Sequence, residues 1–449
     1  MTWVDEDNAA LLTDLYELTM AASYHVHGMN GAATFDLFVR HLPRERNFLV
    51  ACGLEDALRY LENLRFSPES IGYLDSLDLF SEGFLSYLAD FRFGGEVWAM
   101  PEGELAFASE PLLRVTAPLI EAQIVETFLL NCIIFQTMVA SKAARVALAC
   151  GPRRFVDMSL RRDHGADAAV KAARAAYIAG ASATSNVLAG YFYDIPLSGT
   201  MAHSYVMVFE EEEEAFRAFA RNYPTNAVLL IDTFDVEEGA KRAIAVAREM
   251  AAEGVRIKGV RIDSGDLAPL TRTVRRLLDE AGLREVEVVL SGDLDEYRIE
   301  ALLEEGVPVD SFGVGTQLGT SADAPTLGGV YKLVADERGP KIKLSTGKAT
   351  LPGRKQILRY EQDGLFHHDV IALEGEDTVG GRPLLRKVME DGSRTSAPEA
   401  LDVVRKRCRD SLDGLPPRLR RLREPAEAFV VEHSHELARL VTRMREAPR

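Results

Sequence analysis

The chain has 449 residues, 47% hydrophobic and 27% charged, with 69 acidic against 52 basic side chains and a formal net charge of −17. That length exceeds one small core, so two or three domains are expected, one of them a large barrel if the pattern allows it. The acidic balance argues against a broad nucleic-acid surface, which needs a basic face, but leaves room for a few Arg and Lys side chains around a small anionic substrate.

Asn8 is placed to cap a helix reaching about residue 27, with Leu11, Leu15, Leu18 and Ala22 on one face and Gly28 past its end. Tyr16 lies off that stripe and is free to face something other than the helix's own core. Residues 31–40 alternate as a strand, segments 53–63 and 68–90 read as helices, and strand-like pieces follow near 96–99 and 104–115. An apolar helix over about 118–148 ends at Gly151-Pro152. No uninterrupted apolar run approaches a membrane span. The acidic opening Val4-Asp5-Glu6-Asp7 lacks the positive charge of a signal peptide. Cys52, Cys132, Cys150 and Cys408 form no Cys-x-x-Cys pair, so reduced, buried thiols in a soluble cytoplasmic protein are expected.

From Phe155 the pattern becomes repeated strand–helix units. Phe155–Leu160 is strand-like and runs into Arg161-Arg162-Asp163-His164-Gly165, and an Ala-rich helix follows to Gly180. Four similar strands come next: Ala227–Ile231 before Asp232, Gly259–Ile262 before Asp263, Val286–Leu290 before Ser291, and Ser311–Val314 before Gly315. Helical segments near 236–252, 266–281 and 294–305 separate them. This period argues βαβ units in a parallel sheet or barrel, whose strand carboxyl ends build the active site. After Gly347 the pattern dissolves into turns and short strands (355–360 and 364–373), then a mostly helical, charged tail from about 395. Glu210–Glu214 reads as the exposed first turn of a helix, and Pro416–Arg421 as a solvated surface helix.

Several strand-end loops carry candidate chemistry. Gly199-Thr200-Met201-Ala202-His203-Ser204 puts a histidine and two hydroxyls on a glycine-entered loop, suited to a nucleophile or acid/base, or to a satisfied structural histidine. Asp310–Gln317 places glycines and Thr316 after a buried strand, as a phosphate cradle or an ordinary tight turn. In Arg261-Ile262-Asp263-Ser264-Gly265-Asp266 the guanidinium suits a carboxylate or phosphate, and the acids can orient substrate or hold Mg²⁺ through water. The alternative has Asp263 capping the next helix and Arg261 paired at the surface. Asp293 is read equally as a cap or a ligand contact. Arg161, Arg162 and His164 make a cationic cluster or a solvated charge pair. His25, His27 and His41 are read as structural. Leu230–Asp235 lacks the paired acids and glycine of a Rossmann-like ribose-pyrophosphate binder. P-loop, zincin and α/β-hydrolase motifs are absent as well.

Taken in order, these segments resemble the nicotinate phosphoribosyltransferase family. The likeness rests on Leu11–Met20, Ser141-Lys142-Ala143-Ala144-Arg145, Arg161-Arg162, Ser198–Ser204, Arg261–Leu267, Gly313–Thr316, Leu327–Val334 and Leu351–Lys355. The resemblance implies an irregular (βα) TIM-like barrel of the type II phosphoribosyltransferase kind, with a second α/β domain built from both chain ends. The corresponding divisions are 1–117, 118–346 as the barrel, and 347–449 packing with the N-terminal part. It also implies a homodimer with the site at the barrel mouth near the subunit interface. The reaction would join nicotinate to 5-phosphoribosyl 1-pyrophosphate, giving nicotinate mononucleotide and pyrophosphate in NAD salvage, with ATP hydrolysis as the drive and Mg²⁺ on the leaving group.

By the same resemblance Tyr16 covers the pyridine ring, Thr200 lines its pocket and Arg261 takes its carboxylate. Gly315 and Thr316 hold the donor 5′-phosphate, while Arg161, Arg162 and Ser204 contact substrate. His203 is the phosphorylated histidine, and Asp263 is a second catalytic residue. Met158-Ser159 stands where the family often has Phe-Gly, which leaves the local backbone open there. The competing expectations are a nicotinamide or quinolinate phosphoribosyltransferase and a non-catalytic barrel that binds a phosphorylated ligand.

Overall fold

The computed structural model describes residues 4–345, 349–376, 379–422 and 427–446. They divide into two compact units, Lys142–Pro325 and the remainder, which joins the residues up to Ser141 to those from Thr326 onward. The boundary expected at 346/347 lies outside the described residues.

Lys142–Pro325 is built on six parallel strands: β1 Arg154–Asp157, β2 Ala183–Thr184, β3 Val228–Leu230, β4 Gly259–Ile262, β5 Glu287–Leu290 and β6 Ser311–Val314. Their spatial order is β2-β1-β6-β5-β4-β3, a sequential round of strands with no ladder between β2 and β3 among the described residues. The result is a curled parallel half-barrel. Val260, Val288, Leu229 and Phe312 are buried on it, as strands covered on both faces should be. Helices Ala166–Ile178, Val236–Ala252, Leu267–Glu280 and Glu296–Glu304 follow β1, β3, β4 and β5. Asp235 and Asp295 start two of them by accepting the N–H of Glu238 and Arg298 at 2.9 and 2.8 Å. Asp295, rather than Asp293, therefore caps the helix after β5, and Asp293 instead sits at φ +48° in the turn before it. At Gly239 an added Cβ would meet the Ile231 carbonyl oxygen at 2.1 Å, so only glycine lets that helix close on β3.

The other unit carries an antiparallel sheet around Ala32–Val39, which pairs with Pro111–Pro118 and Gly329–Asp336. A second sheet is centred on Lys355–Gln362 and Leu365–Leu373. The alternation of residues 31–40 does mark a strand, but both faces are covered. Asp36 is buried against Lys355 Nζ at 2.7 Å instead of facing water.

Four expectations are corrected. The first helix is Leu15–Val26, entered at Asp14; Asn8 precedes only a 3-10 turn, Ala9–Leu11, and its side chain accepts from Asp5 N–H. Residues 68–90 form two helices, Pro68–Ser76 and Glu82–Ala89, because Asp78 takes φ +55° and Ser81 caps a fresh start. Glu212 is buried and pairs with Arg242 at 2.9 Å, so the Glu210–Glu214 run is not wholly solvated. Finally, helix Glu126–Cys150 is long and apolar enough to cross a membrane, contrary to the reading of the apolar runs. Its critical window is 72% buried inside the protein, as a core helix is. All four cysteines are buried thiols outside any disulfide.

Candidate active site

The parallel register sets the strand ends of the half-barrel side by side. Leu230 is level with Arg261, Leu290 with Ile262, and Val314 with Asp157. Arg261, on β4, is held from all three guanidinium nitrogens. Nε donates to Ser291 Oγ at 2.9 Å, one terminal nitrogen to Thr200 Oγ1 at 2.9 Å, and the other to Asp263 Oδ1 at 2.9 Å. Ser291 Oγ also donates to Asp263 Oδ1 at 2.5 Å. Arg261 thus joins three loops, and neither the surface pairing nor helix capping by Asp263 describes what is found. The next helix is entered at Asp266. Burial alone would raise the Asp263 carboxyl, but the bonds from Ser291 and Arg261 and the charges of Arg261 and His203 outweigh it and hold it below the usual carboxylate range. Gly292, at φ +90°, passes so close to the Asp263 carbonyl that an added Cβ would lie 1.9 Å from its oxygen.

His203 opens the short helix His203–Met207, with its side chain 40% exposed. Its Nε2 lies 3.1 Å from Oδ1 of the fully buried Asp232 side chain. Oδ2 of Asp232 accepts the Asp263 N–H at 3.0 Å and Ser264 Oγ at 2.6 Å. One carboxylate therefore couples the histidine loop to the loop after β4. Sequence reasoning set the Leu230–Asp235 segment aside for lacking paired acids and missed this role. The signal was there in a lone Asp directly after a buried apolar strand, in the same position as Asp263. An acceptor on Nε2 fixes the ring so that Nδ1 keeps its lone pair.

After β6, Gly315 leads into the short helix Thr316–Gly319. An added Cβ at Gly313 would meet Met158 Sδ at 2.6 Å, so the loop after β1 lies directly against this strand. Ser204, Arg161 and Arg162 are exposed. Tyr16 belongs to the other compact unit. There, burial first and then the Glu126, Glu17 and Asp14 carboxylates push its phenol up, Glu126 also accepting its hydrogen bond. Glu17 beside it is raised to about 7 by burial, against hydrogen bonds from Thr13 and Thr127 that favour the charged form. His25 packs on Phe84 and Tyr87, and His27 bonds Ser23 O at 2.8 Å, both structural as expected.

A parallel half-barrel with an arginine, a paired histidine and two carboxylates at its strand carboxyl ends has the arrangement of an enzyme barrel, whose active site is built at that end of the strands. Three family models match, described as nicotinate phosphoribosyltransferase N-terminal domain (residues 11–134), family (153–336) and C-terminal domain (379–441). The chain belongs to the nicotinate phosphoribosyltransferase family. It is 46% identical over 440 residues to a nicotinate phosphoribosyltransferase of Mycobacterium tuberculosis, covering 98% of this chain and 94% of that one. To the enzyme of that name from Bacillus subtilis it is 44% identical over 381 residues, covering 83% and 77%. The crystal structure of human nicotinic acid phosphoribosyltransferase superposes with a TM-score of 0.86 at 31% identity, covering 96% of this chain and 99% of that one. A nicotinate-nucleotide pyrophosphorylase from Pyrococcus furiosus shares the fold, with a TM-score of 0.74 at 24% identity over 92% and 97% of the two chains.

Proposed function

We propose that this chain is an ATP-coupled nicotinate phosphoribosyltransferase. It forms nicotinate mononucleotide and pyrophosphate from nicotinate and 5-phosphoribosyl 1-pyrophosphate in NAD salvage. The observation that carries the reading is the seating of Arg261 on Thr200, Ser291 and Asp263. A planar cation pinned on a strand end presents a fixed positive charge and its remaining N–H to a ring carboxylate, which favours nicotinate over nicotinamide. Thr200 lines that pocket.

Displacement at the ribose carbon passes through an oxocarbenium-like state, and the pyridine nitrogen is itself the nucleophile, so no general base is needed. The protein's work is alignment and charge stabilisation. Thr316 with Gly315 takes the 5′-phosphate, and Arg161, Arg162 and Ser204 take the remaining phosphate charge. His203 accepts the γ-phosphoryl group of ATP at Nδ1, oriented by Asp232, and hydrolysis of that phosphohistidine drives the overall equilibrium. Asp263, held ionised, and Asp266 suit Mg²⁺ bound through water and the donor's own phosphates, the usual habit of that ion. Bound there, Mg²⁺ would supply positive charge to offset that of the pyrophosphate.

The unit formed from both ends of the chain is read as the second α/β domain beside an irregular barrel. The exposed apolar residues Val187, Tyr191, Phe192 and Leu197 support a homodimer. The buried thiols, outside any disulfide, suit a reducing, cytoplasmic setting.

The test is pyrophosphate release from the donor with Mg²⁺, supplying nicotinate, nicotinamide or quinolinate in turn, with and without ATP. Turnover with nicotinate alone, stimulated by ATP and no longer stimulated in His203→Ala, is the expected result. Turnover with none of the three would leave a phosphate-ligand-binding barrel.

A further inference from the structure

The loop after β1 contains a hydrogen-bond arrangement that the reaction above does not use. Ser159 Oγ lies 2.6 Å from Asp157 Oδ1 and 3.0 Å from Asp163 Oδ2. A serine hydroxyl has one proton to give. Asp157 is already an acceptor throughout, taking the Ser159 N–H at 3.0 Å and Thr184 Oγ1 at 2.7 Å, so the shorter bond claims that proton. Asp163 can then bond to Ser159 Oγ only as a donor, that is, as the neutral acid. Its other oxygen, Oδ1, is buried with no hydrogen-bond partner among the described residues. A neutral carbonyl tolerates that far better than a charged carboxylate.

Asp163 is also wedged against the phosphate turn. An added Cβ at Gly319, the last residue of the Thr316–Gly319 helix, would lie 1.8 Å from Asp163 Oδ1 and 2.5 Å from Ser159 Cβ. The groups around Asp163 are few. Asp157 faces it from β1 with like charge, and exposed His164 on its own loop opposes that effect. Arg161 and Arg162 are exposed on the same loop. In the following helix Asp167 is paired with Lys171 at 2.7 Å, and Thr316–Gly319 carries no titratable side chain.

We propose that Asp163, in its protonated form, is a positioning residue that latches the Arg161–Arg162 loop against Gly319 and so sets affinity for the phosphoribosyl donor. This rests on the reading that Arg161, Arg162 and Thr316 hold donor phosphates. Burial and the Asp157 charge raise the Asp163 carboxyl to about 6, against the His164 charge. The latch is therefore complete in acid and released as pH rises through about 6.

The test compares the full-length protein with Asp163→Asn and Asp163→Ala from about pH 5.5 to about pH 7.5. The Asn variant keeps a neutral donor toward Ser159 at every pH. Because the donor's phosphates also titrate, the readout is the ratio of wild-type to Asp163→Asn KM for 5-phosphoribosyl 1-pyrophosphate. That ratio should rise by up to about 25-fold across the range, the factor by which the protonated fraction falls. Asp163→Ala should have a KM above that of Asp163→Asn at all pH values while leaving kcat within about threefold. A ratio independent of pH, or equal losses in kcat in both variants, overturns the proposal. Amide exchange over residues 158–165 separates the latch from the function: protection lost above pH 6 in wild type but kept in Asp163→Asn supports it without any turnover, and equal protection in both refutes it. Absence of nucleotide synthesis by wild type at every pH would refute the functional reading alone.

Discussion

Asp232→Asn isolates what a buried carboxylate does for His203. In the native arrangement Asp232 accepts on both oxygens, from His203 Nε2 at 3.1 Å on one side and from Asp263 N–H and Ser264 Oγ, at 3.0 and 2.6 Å, on the other. An amide cannot accept on both sides. If its oxygen keeps Asp263 and Ser264, its NH₂ group faces Nε2, and the imidazole must carry its proton on Nδ1, the atom that would attack phosphorus. If it turns round, two donors oppose each other at the backbone of Asp263. One hydrogen bond to a charged partner contributes about 1.5–3 kcal/mol. At 1.36 kcal/mol per decade of rate, phosphorylation should slow by roughly 10- to 150-fold. The corresponding change in a serine-protease triad costs about 10⁴-fold through the wrong tautomer. His203 is 40% exposed, so water can replace part of the lost interaction, and the smaller figure is expected here.

The assay is phosphoenzyme formation from γ-labelled ATP, alongside nucleotide synthesis with and without ATP. Basal synthesis should stay within about threefold of wild type, because ring attack needs no base. Wild-type phosphorylation in Asp232→Asn would refute the reasoning. So would an equal loss of ATP-dependent and basal turnover, which would mean that the barrel mouth itself had shifted.

Three further outcomes follow from the same geometry. Arg261→Lys keeps the charge but cannot span Thr200, Ser291 and Asp263 at once, so KM for nicotinate should rise about 10- to 100-fold with a smaller change in kcat; unchanged affinity would refute the carboxylate contact. Gly292→Ala places a Cβ on the Asp263 carbonyl at φ +90° and should cost about 1–3 kcal/mol, read as a lowered Tm, with unchanged Tm and activity as the contrary result. The carboxyl of Glu17 is raised to about 7, so the stability contributed by its neutral form is complete below the ordinary carboxylate range and is lost as pH rises through about 7. Glu17→Gln should therefore flatten the fall in Tm between about pH 4.5 and about pH 7, and a variant that follows the wild-type slope would show that another group titrates there.

The half-barrel was legible because its strands announce themselves twice, by a short apolar run and by a polar residue at its end. β4 and β6 occupy the very residues expected, Gly259–Ile262 and Ser311–Val314. Elements whose boundaries depend on a single side chain's partner were not legible. Asn8 carries a good capping side chain but spends it on Asp5 N–H, and nothing in the local pattern says so. Glu212 looks like its four acidic neighbours until Arg242 arrives from a helix thirty residues on. Asp232 is the instructive case. Its chemistry depends on meeting His203 from a loop well before its own strand, a contact no local pattern shows, while the parallel register that levels Leu230 with Arg261 brings it to the Asp263 loop.

Much of what made the chain resemble its family is scaffold and not chemistry. Lys142 and Arg145 are almost fully buried, and both bind Glu296, at 2.5 and 2.9 Å. Lys142 also reaches Asp323 at 2.9 Å, just beyond the Thr316 turn. Such a network is poor evidence for stability, since desolvating its four charges can cancel what their attraction returns. What it supplies is direction: an apolar replacement could fill the same volume, but it could not dictate that Asp323, and with it the end of the phosphate turn, sit at one place relative to the start of helix Glu296–Glu304. Lys355 does the same in the other unit, where a buried ammonium holds Asp36 and the carbonyls of Leu351 and Gly353 together. The residues proposed to react are few and lie on strand-end loops. The buried charges fix where those ends fall, and so the motifs that identify the family extend well beyond the residues that touch its substrates.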